Sequence, residues 1–339
     1  MPTLTRLNER IGRKNGPRNR CERLQLLIKI RSYFMRRGPV GFLRSREKTC
    51  AVIFLFALLF IVVDLNNLRS TSRPLVVIVA CTKSVETWRT VKDTTLVSRL
   101  LPSIDRTITQ QERGYFAVEL LISFDSGDMF WESSTNRDAA LAASALPLTF
   151  ISIRRMGSPR IPFNEATRAA YEFGASYIVR INDDTEFTSQ GWISLAVDEL
   201  HSFSPPLVGV VGPTCKEGNE AILTHDMVHA THLEIFTDYY PVELNNWWID
   251  DWISSVYGES RTTKLAKWSV SHHTRRHGQR YTVNQTQKEL LPLLLERDRG
   301  KVRAFIHGKQ TGKESVKSLG SGSVDVVAGT RLRHAHDRI

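Results

Sequence analysis

The chain has 339 residues, of which 46 are Lys or Arg and 35 are Asp or Glu, for a formal net charge of +11; that is length enough for one large α/β domain, or two small ones, plus an appendage. Fourteen of the basic residues but only three of the acidic ones fall in residues 1–50, which leaves 32 of each sign in the remaining body. A balanced body excludes a general phosphate-binding face for nucleic acid.

Behind the basic arm, residues 1–48, comes Ala51-Val-Ile-Phe-Leu-Phe-Ala-Leu-Leu-Phe-Ile-Val-Val63, an uncharged apolar run closed by Asp64. It is short against the roughly 20 residues that a hydrocarbon core needs, so a buried helix or a signal-peptide core competes with a membrane anchor. Thr49, Cys50 and Leu65 lengthen it, the basic flank snorkels, and thinner early-secretory membranes accept shorter spans. The arm before it is too long for an ordinary signal peptide, and so apolar a block is unusual in a mitochondrial presequence. Residues 49–65 are therefore expected to be one transmembrane anchor. The Lys/Arg excess ahead of it sets the N-terminus in the cytoplasm and the body in the lumen, as in a type II protein of the Golgi membrane or, alternatively, the endoplasmic reticulum. Residues 66–73 make a short polar stem.

The folded body is expected over 74–309. Leu75 to Ala80 is a continuous β-branched run, the pattern of a strand buried on both faces of a parallel sheet. An amphipathic stretch from Glu86 to Ile104 predicts a helix, Phe116 to Phe124 a second strand closed by Asp125-Ser-Gly-Asp128, and Leu146 to Ile153 a third. Asn164 to Gly174 predicts a helix whose inner face is Ala166, Ala169, Ala170 and Phe173, stopped by Gly174. Tyr177 to Ile181 is the fourth strand and Leu207 to Val211 the fifth. This alternation points to a Rossmann-like α/β fold, a mostly parallel sheet with flanking helices whose ligands sit at the carboxyl ends of the strands. Residues 310–339, rich in Gly, Ser, Lys and Arg, predict a loose tail. In the expected lumen, Cys81 and Cys215 are either a disulfide or two buried thiols. Asn284-Gln-Thr286 is a glycosylation sequon that suits that address.

The strongest chemical signal is Ile181-Asn-Asp-Asp-Thr-Glu-Phe187, acids placed directly after a buried strand, where a parallel sheet opens its crevice. Carboxylates there suit a hard cation, Mn²⁺ or Mg²⁺, that bridges a diphosphate and neutralises a leaving nucleotide. The run from Phe163 through Phe187 has a helix of the form Asn-x-Ala-x-x-x-Ala, then Gly-Ala, then a strand ending in Asn-Asp-Asp. It resembles the donor-site segment of GT-A nucleotide-diphospho-sugar transferases of the family-two type, and the resemblance extends over about residues 74–290. It implies that the acidic DxD signature falls on Asn182, Asp183 and Asp184, with Asp184 as metal ligand and Asp183 nearer the ribose. It also implies that Ala80, Cys81 and Thr82 line the base and ribose, with Asp125 as a further contact; Asp125 reads equally well as a turn residue before Ser126-Gly127.

Asn245-Asn-Trp-Trp-Ile-Asp-Asp-Trp-Ile-Ser254 concentrates three tryptophans and a paired acid. The indoles of Trp247, Trp248 and Trp252 suit stacking on a pyranose, and Asp250 or Asp251 suits general-base work on an acceptor hydroxyl, Asp251 being preferred. The plainer alternative is a helix N-terminus, with the acids at its positive end and the tryptophans in the core. Trp268 to Thr274 delivers two histidines. In many GT-A enzymes a late-strand histidine completes the metal shell, a place that His273 or His272 fills, and imidazole favours Mn²⁺ over Mg²⁺. Arg275, Arg276 and Arg280 are candidates for the diphosphate, against a solvated basic loop. His225-Asp-Met-Val-His229, with His232 after it, has the spacing of a zinc helix but lacks the Glu after the first His, so these residues read as helix-surface or acceptor-site histidines.

The resemblance thus implies a metal-dependent glycosyltransferase whose partners are a nucleotide-diphospho-sugar donor, a glycan, glycoprotein or glycolipid acceptor and the membrane, with no nucleic acid. Two other readings compete. One is a membrane-tethered sugar-binding or assembly protein without turnover. The other is a nucleotidyltransferase, which would carry a Gly-rich basic loop where this chain has Cys81-Thr-Lys-Ser84.

Overall fold

The computed structural model describes residues 73–154, 160–217, 219–273, 280 and 284–310. The described elements all belong to one compact unit that begins at Arg73. The basic arm, the anchor expected at 49–65, the stem up to residue 72, Arg275, Arg276 and the tail from 311 lie outside the described residues. Among the described residues no helix is long and apolar enough to cross a membrane.

The described strands are β1 (Leu75–Thr82), β2 (Ala117–Asp125), β3 (Leu148–Ile153), β4 (Tyr177–Asn182), β5 (Thr185–Phe187), β6 (Val210–Cys215), β7 (Asp226–His229) and β8 (Thr262–His272). They form one sheet in the order β3-β2-β1-β4-β7-β6-β8-β5. The helices around it are α1 (Leu101–Thr107), α2 (Gln110–Tyr115), α3 (Met129–Glu132), α4 (Ser134–Ala143), α5 (Phe163–Glu172), α6 (Trp192–Ser202), α7 (Thr231–Ile235), α8 (Ile249–Val256) and α9 (Leu291–Gln310).

β1 is an interior strand, third in the order. It pairs in parallel with β2 on one side and β4 on the other, which is why its apolar run is buried from Val76 to Thr82. Its alternate side chains feed two cores, as the two-residue period of a strand requires. Val76, Ile78 and Ala80 pack with Leu96, Leu100, Trp131 and Trp192 on one face. Val77, Val79 and Cys81 pack on the other with Phe163, Ala166 and Ala170 of α5 and with Ile249, Trp252 and Ile253 of α8.

The sheet is mixed, with four of its seven pairings parallel. β2 and β3 pair in parallel, as do β6 and β8, but β7 runs antiparallel to both β4 and β6, and β5 antiparallel to β8. The link from β6 to β7 is too short to hold a crossover helix, so the chain can only turn back and pair antiparallel. The helix expected over Glu86–Ile104 is also shorter. Asp93 Oδ2 accepts from the backbone N–H groups of Thr90 and Arg89 at 2.7 and 2.9 Å, which spends that stretch on turns. A π-helical turn over Leu96–Leu100 then leads into α1, with Pro102 in the first turn, where its missing N–H leaves no bond unmade.

α5 begins and ends close to where Asn164 and Gly174 place it, and Gly174 takes the left-handed φ of 87° that a helix C-terminus favours. Ala166 and Ala170 are fully buried as its inner face, but Phe173 is 44 % exposed, because it follows the last helical turn. Cys81 and Cys215 are both buried and are not joined to each other. The His225–His229 stretch is no helix. Asp226–His229 forms β7, which turns successive side chains to opposite faces.

Candidate functional site

A cleft of about 410 Å³ opens at the carboxyl ends of β1 and β4. The strand order reverses between these two strands, since the chain runs outward through β2 and β3 and then returns to the other side of β1. Such switch points are where open α/β sheets bind ligands. Cys81 comes to the cleft from β1, Arg180 and Asn182 from β4, Asp183 and Asp184 from the turn after it, and His272 from the last position of β8. Asn246, Trp247, Ile249, Asp250 and Arg280 complete the lining.

Asp183 is fully buried and fully engaged. Thr82 Oγ1 donates to its Oδ2 at 2.7 Å, Arg280 Nη1 donates to the same oxygen at 2.8 Å, and Arg280 Nη2 donates to Oδ1. Arg280 also donates to the Lys83 carbonyl and lies 3.6 Å from Asp184 Oδ2. Ala80 is fully buried beneath these groups. Asp125 is not among the lining residues; its carbonyl accepts from Asp128 N, closing the turn after β2.

Asp184 is the less satisfied acid. Its Oδ1 faces His272 Nε2 at 2.9 Å, yet without hydrogen-bond alignment, so this buried oxygen has no hydrogen-bond partner. Register sets the pairing, because Thr185 lies opposite His272 in the β5–β8 ladder. Burial works to raise the Asp184 carboxyl, but its contact with His272 and the Arg280 guanidinium outweigh it and hold the pKa below the usual carboxylate value. Oδ1 and Nε2 bring one oxygen and one nitrogen together, a donor pair that suits Mn²⁺. Among the described residues no group of three or more His, Cys, Asp or Glu is arranged to hold a metal. A cation here would therefore take its remaining ligands from phosphate oxygens and water, as Mg²⁺ and Mn²⁺ commonly do on nucleotides. His273 is turned elsewhere. Its Nε2 meets Glu186 Oε2 at 3.0 Å, Arg99 and Arg106 contact the same carboxylate, and only its backbone N–H, donating to the Asp184 carbonyl at 2.9 Å, touches the acidic turn.

Trp248 has a left-handed φ of 69° directly before α8. This turn leaves Trp247 52 % exposed at the cleft while Ile249 and Trp252 go into the core. The three tryptophans thus have three different fates. Trp247 lines the cleft, Trp248 donates from Nε1 to the Asn284 carbonyl under Lys288, and Trp252 is 1 % exposed, donating from Nε1 to Asp298 of α9. Both acids stand in the first turn of α8, but Asp250 lines the cleft and Asp251 does not.

Asp250 accepts from Arg180 Nη2 at 2.8 Å. Arg180 is 1 % exposed; its Nε donates to Asp226 Oδ2 at 2.8 Å and its Nη1 to the Thr224 carbonyl at 2.7 Å. Asp226 also accepts from the Tyr239 and Tyr240 hydroxyls at 2.5 and 2.8 Å. Burial, reinforced by the Asp226 charge and opposed by Arg180, raises the Asp250 carboxyl to about 6, and burial also raises Asp251. Sequence reasoning missed Arg180 and Asp226, although a charge inside the apolar run Tyr177–Ile181 signals a buried partner by itself.

No protein-family model matches the chain, and no curated protein matches it. Among solved structures it is similar to S. aureus TarS in complex with UDP-GlcNAc, at 14% identity over 71% of this chain and 73% of that one, with a TM-score of 0.42. It is similar to GalNAc-T7 with UDP, GalNAc and Mn²⁺ at 12% identity over 60% of this chain and 44% of that one, TM-score 0.41. A third match is a Bacillus anthracis protein assigned as a glucose-1-phosphate thymidylyltransferase and solved with sucrose, at 10% identity over 68% and 95% of the two chains, TM-score 0.40. All three are distant in sequence and in superposition.

Proposed function

We propose that the chain is a GT-A-like glycosyltransferase that moves a sugar from a nucleoside-diphosphate donor to a glycan acceptor with the help of Mn²⁺ or Mg²⁺. One observation carries the reading: the buried Asp184 carboxylate and His272 Nε2 converge to 2.9 Å at the switch point of the sheet. Bound there, a divalent cation would neutralise the diphosphate as it leaves. Asp184 and His272 would hold it, while Thr82 and Arg280 keep Asp183 in place beside it.

In the same cleft, Asp250 is the candidate general base. It takes the proton from an acceptor hydroxyl as that oxygen bonds to the anomeric carbon, and the bond from that carbon to the diphosphate oxygen breaks, leaving its electron pair on the nucleoside diphosphate. The exposed Trp247 face beside Asp250 suits the apolar side of the acceptor sugar. The Lys/Arg excess of residues 1–50 and the apolar run at 51–63 support a type II arrangement in the Golgi membrane with this cleft lumenal.

A second reading, a sugar-binding protein without turnover, draws support from Arg280, which gives the acidic turn a counter-ion of its own. Thermal unfolding of the full-length chain with Mn²⁺ and a panel of UDP, GDP, ADP and their sugars decides between them. A ligand at a hundred times its dissociation constant adds about 2.7 kcal/mol, which is about 5–10 °C for a domain of this size. The transferase reading expects a Mn²⁺-dependent rise with one nucleotide that Asp184→Ala abolishes. A rise with simple sugars alone, independent of Mn²⁺, supports the binding protein, and an equal nucleotide rise in Asp184→Ala overturns the proposed metal site.

A further inference from the structure

The polar cluster under the cleft floor is larger than donor binding or a lone base requires. Arg180 stands in β4, which is buried from Tyr177 to Ile181, and its guanidinium is held from several sides. Phe163 and Tyr240 each lie 5.5 Å from Cζ, ring face against the guanidinium. Nε and Nη1 are tied to Asp226 and to the Thr224 carbonyl. Nη2 alone bridges two carboxylates, Asp226 Oδ2 at 2.5 Å and Asp250 Oδ1 at 2.8 Å. Asp226 is itself pinned by two tyrosine hydroxyls, so it works as an anchor.

We propose that Arg180, anchored by Asp226, is the positioning residue that fixes Asp250 at the cleft floor as the proton-accepting group of the transfer. This rests on the transferase reading above. The geometry separates the two carboxylates: Asp226 is fully buried and saturated, whereas the Asp250 side chain keeps 30 % of its surface open to the cleft. The planar fork fixes the nitrogen that meets both, because Nε and Nη1 are tied to Asp226 and the Thr224 carbonyl, whereas a lysine ammonium is a single point on a flexible stem. The contact also keeps the Asp250 carboxylate from turning in toward the core, a loss of freedom that favours reaction when the attacking hydroxyl must be met in one orientation.

Arg180 also sets the charge of Asp250. The groups that face or surround this carboxyl are Arg180 from β4, Asp226 from β7, Tyr239 and Tyr240 from the loop before α8, Asp251 on its own helix, and Asp183, Asp184, His272 and Arg280 lining the same cleft. Arg180 is the cation in direct contact. Without it, burial and Asp226 act on Asp250 unopposed, and the carboxyl ionises at higher pH.

The test measures nucleoside diphosphate release from the donor identified by thermal shift, with simple glycosides as acceptors, across pH 4.5–9, in the full-length chain and in Arg180→Lys, Arg180→Met and Asp250→Asn. Expected is an acid limb displaced upward by about one pH unit or more in Arg180→Met, a roughly tenfold lower rate on that limb. Arg180→Lys should fall between, and the Mn²⁺–nucleotide thermal shift should stay as in the original chain. A uniformly lowered rate with the limb in place would make Arg180 a structural residue and overturn the proposal. Where Arg180→Met does not fold, Arg180→Lys carries the comparison. The effect of Asp250→Asn on the pH dependence of the melting temperature, measured in the original and Arg180→Lys backgrounds, supplies a readout free of turnover. Coupling without turnover in any variant would overturn the transferase reading and leave the contact standing, whereas no coupling would overturn the contact itself.

Discussion

His232 offers a test whose size follows from its surroundings. The residue is 1 % exposed, with Nε2 at 2.8 Å from the Tyr239 carbonyl and Nδ1 at 2.8 Å from the Tyr257 hydroxyl. A carbonyl only accepts, so Nε2 carries the proton, and Nδ1 of the neutral ring takes the Tyr257 hydroxyl proton. Charging the ring breaks this arrangement and buries a cation, and burial is the main reason that its pKa falls to about 4. The folded value lies below the unfolded one, so stability from this residue is complete above about pH 6.5 and is lost as pH falls through 4. The shift corresponds to about 3 kcal/mol, or about 6–12 °C in melting temperature for a domain of this size. His232→Gln keeps a donor and an acceptor but does not titrate. Melting of the two chains by tryptophan fluorescence between pH 7 and pH 4 should show the original falling more steeply by that amount. Parallel curves would mean that His232 is not the buried neutral group described here; His225, whose pKa burial also depresses, acts in both chains and cancels in the difference.

Two further substitutions separate the cleft from the scaffold. Trp247→Ala should weaken acceptor use, seen as a raised KM with little change in the Mn²⁺–nucleotide thermal shift, because the indole is exposed in the cleft where the acceptor is proposed to bind. Gly212→Ala on β6 should lower stability by about 1–3 kcal/mol in denaturant unfolding. A Cβ there would stand 2.4 Å from the His225 carbonyl oxygen and 2.8 Å from Leu223, and backbone cannot swing aside as a side chain can.

What the sequence carried plainly is what local pattern controls. The β-branched run of β1, the glycine after α5 and the acids after β4 were each visible, because burial on both faces, a left-handed φ and a polar turn at a strand end each leave a signature within a few residues. Antiparallel β7 was hidden because its four residues, Asp226–His229, mix a buried acid with a histidine, and because His225 just before them gives His229 the i, i+4 spacing of a helix. β5 was hidden by its three-residue length and its start directly after the acidic turn. At the site, the acidic pair could be read but its division of labour could not. Asp183 and Asp184 are adjacent in sequence, and only Thr82 and Arg280, about a hundred residues away in either direction, saturate one and leave the other partly unsatisfied. The same holds for Asp250 and Asp251. One helical step of about 100° turns the first toward the cleft and the second away from it, and no residue count decides which.

The link from Trp252 to α9 has a consequence for how the chain can be trimmed. Asp298 takes the indole N–H of Trp252 and is held in turn by Arg297 and Lys301. α9 is therefore a brace laid across the back of the helix that carries Asp250, although it contributes nothing to the lining of the cleft. A shortened chain ending before Leu291 would keep every residue of the cleft and still lose the brace that supports one of its walls. For expression or crystallisation, the useful C-terminal boundary is the end of α9 at Gln310, set by support from behind rather than by proximity to the chemistry.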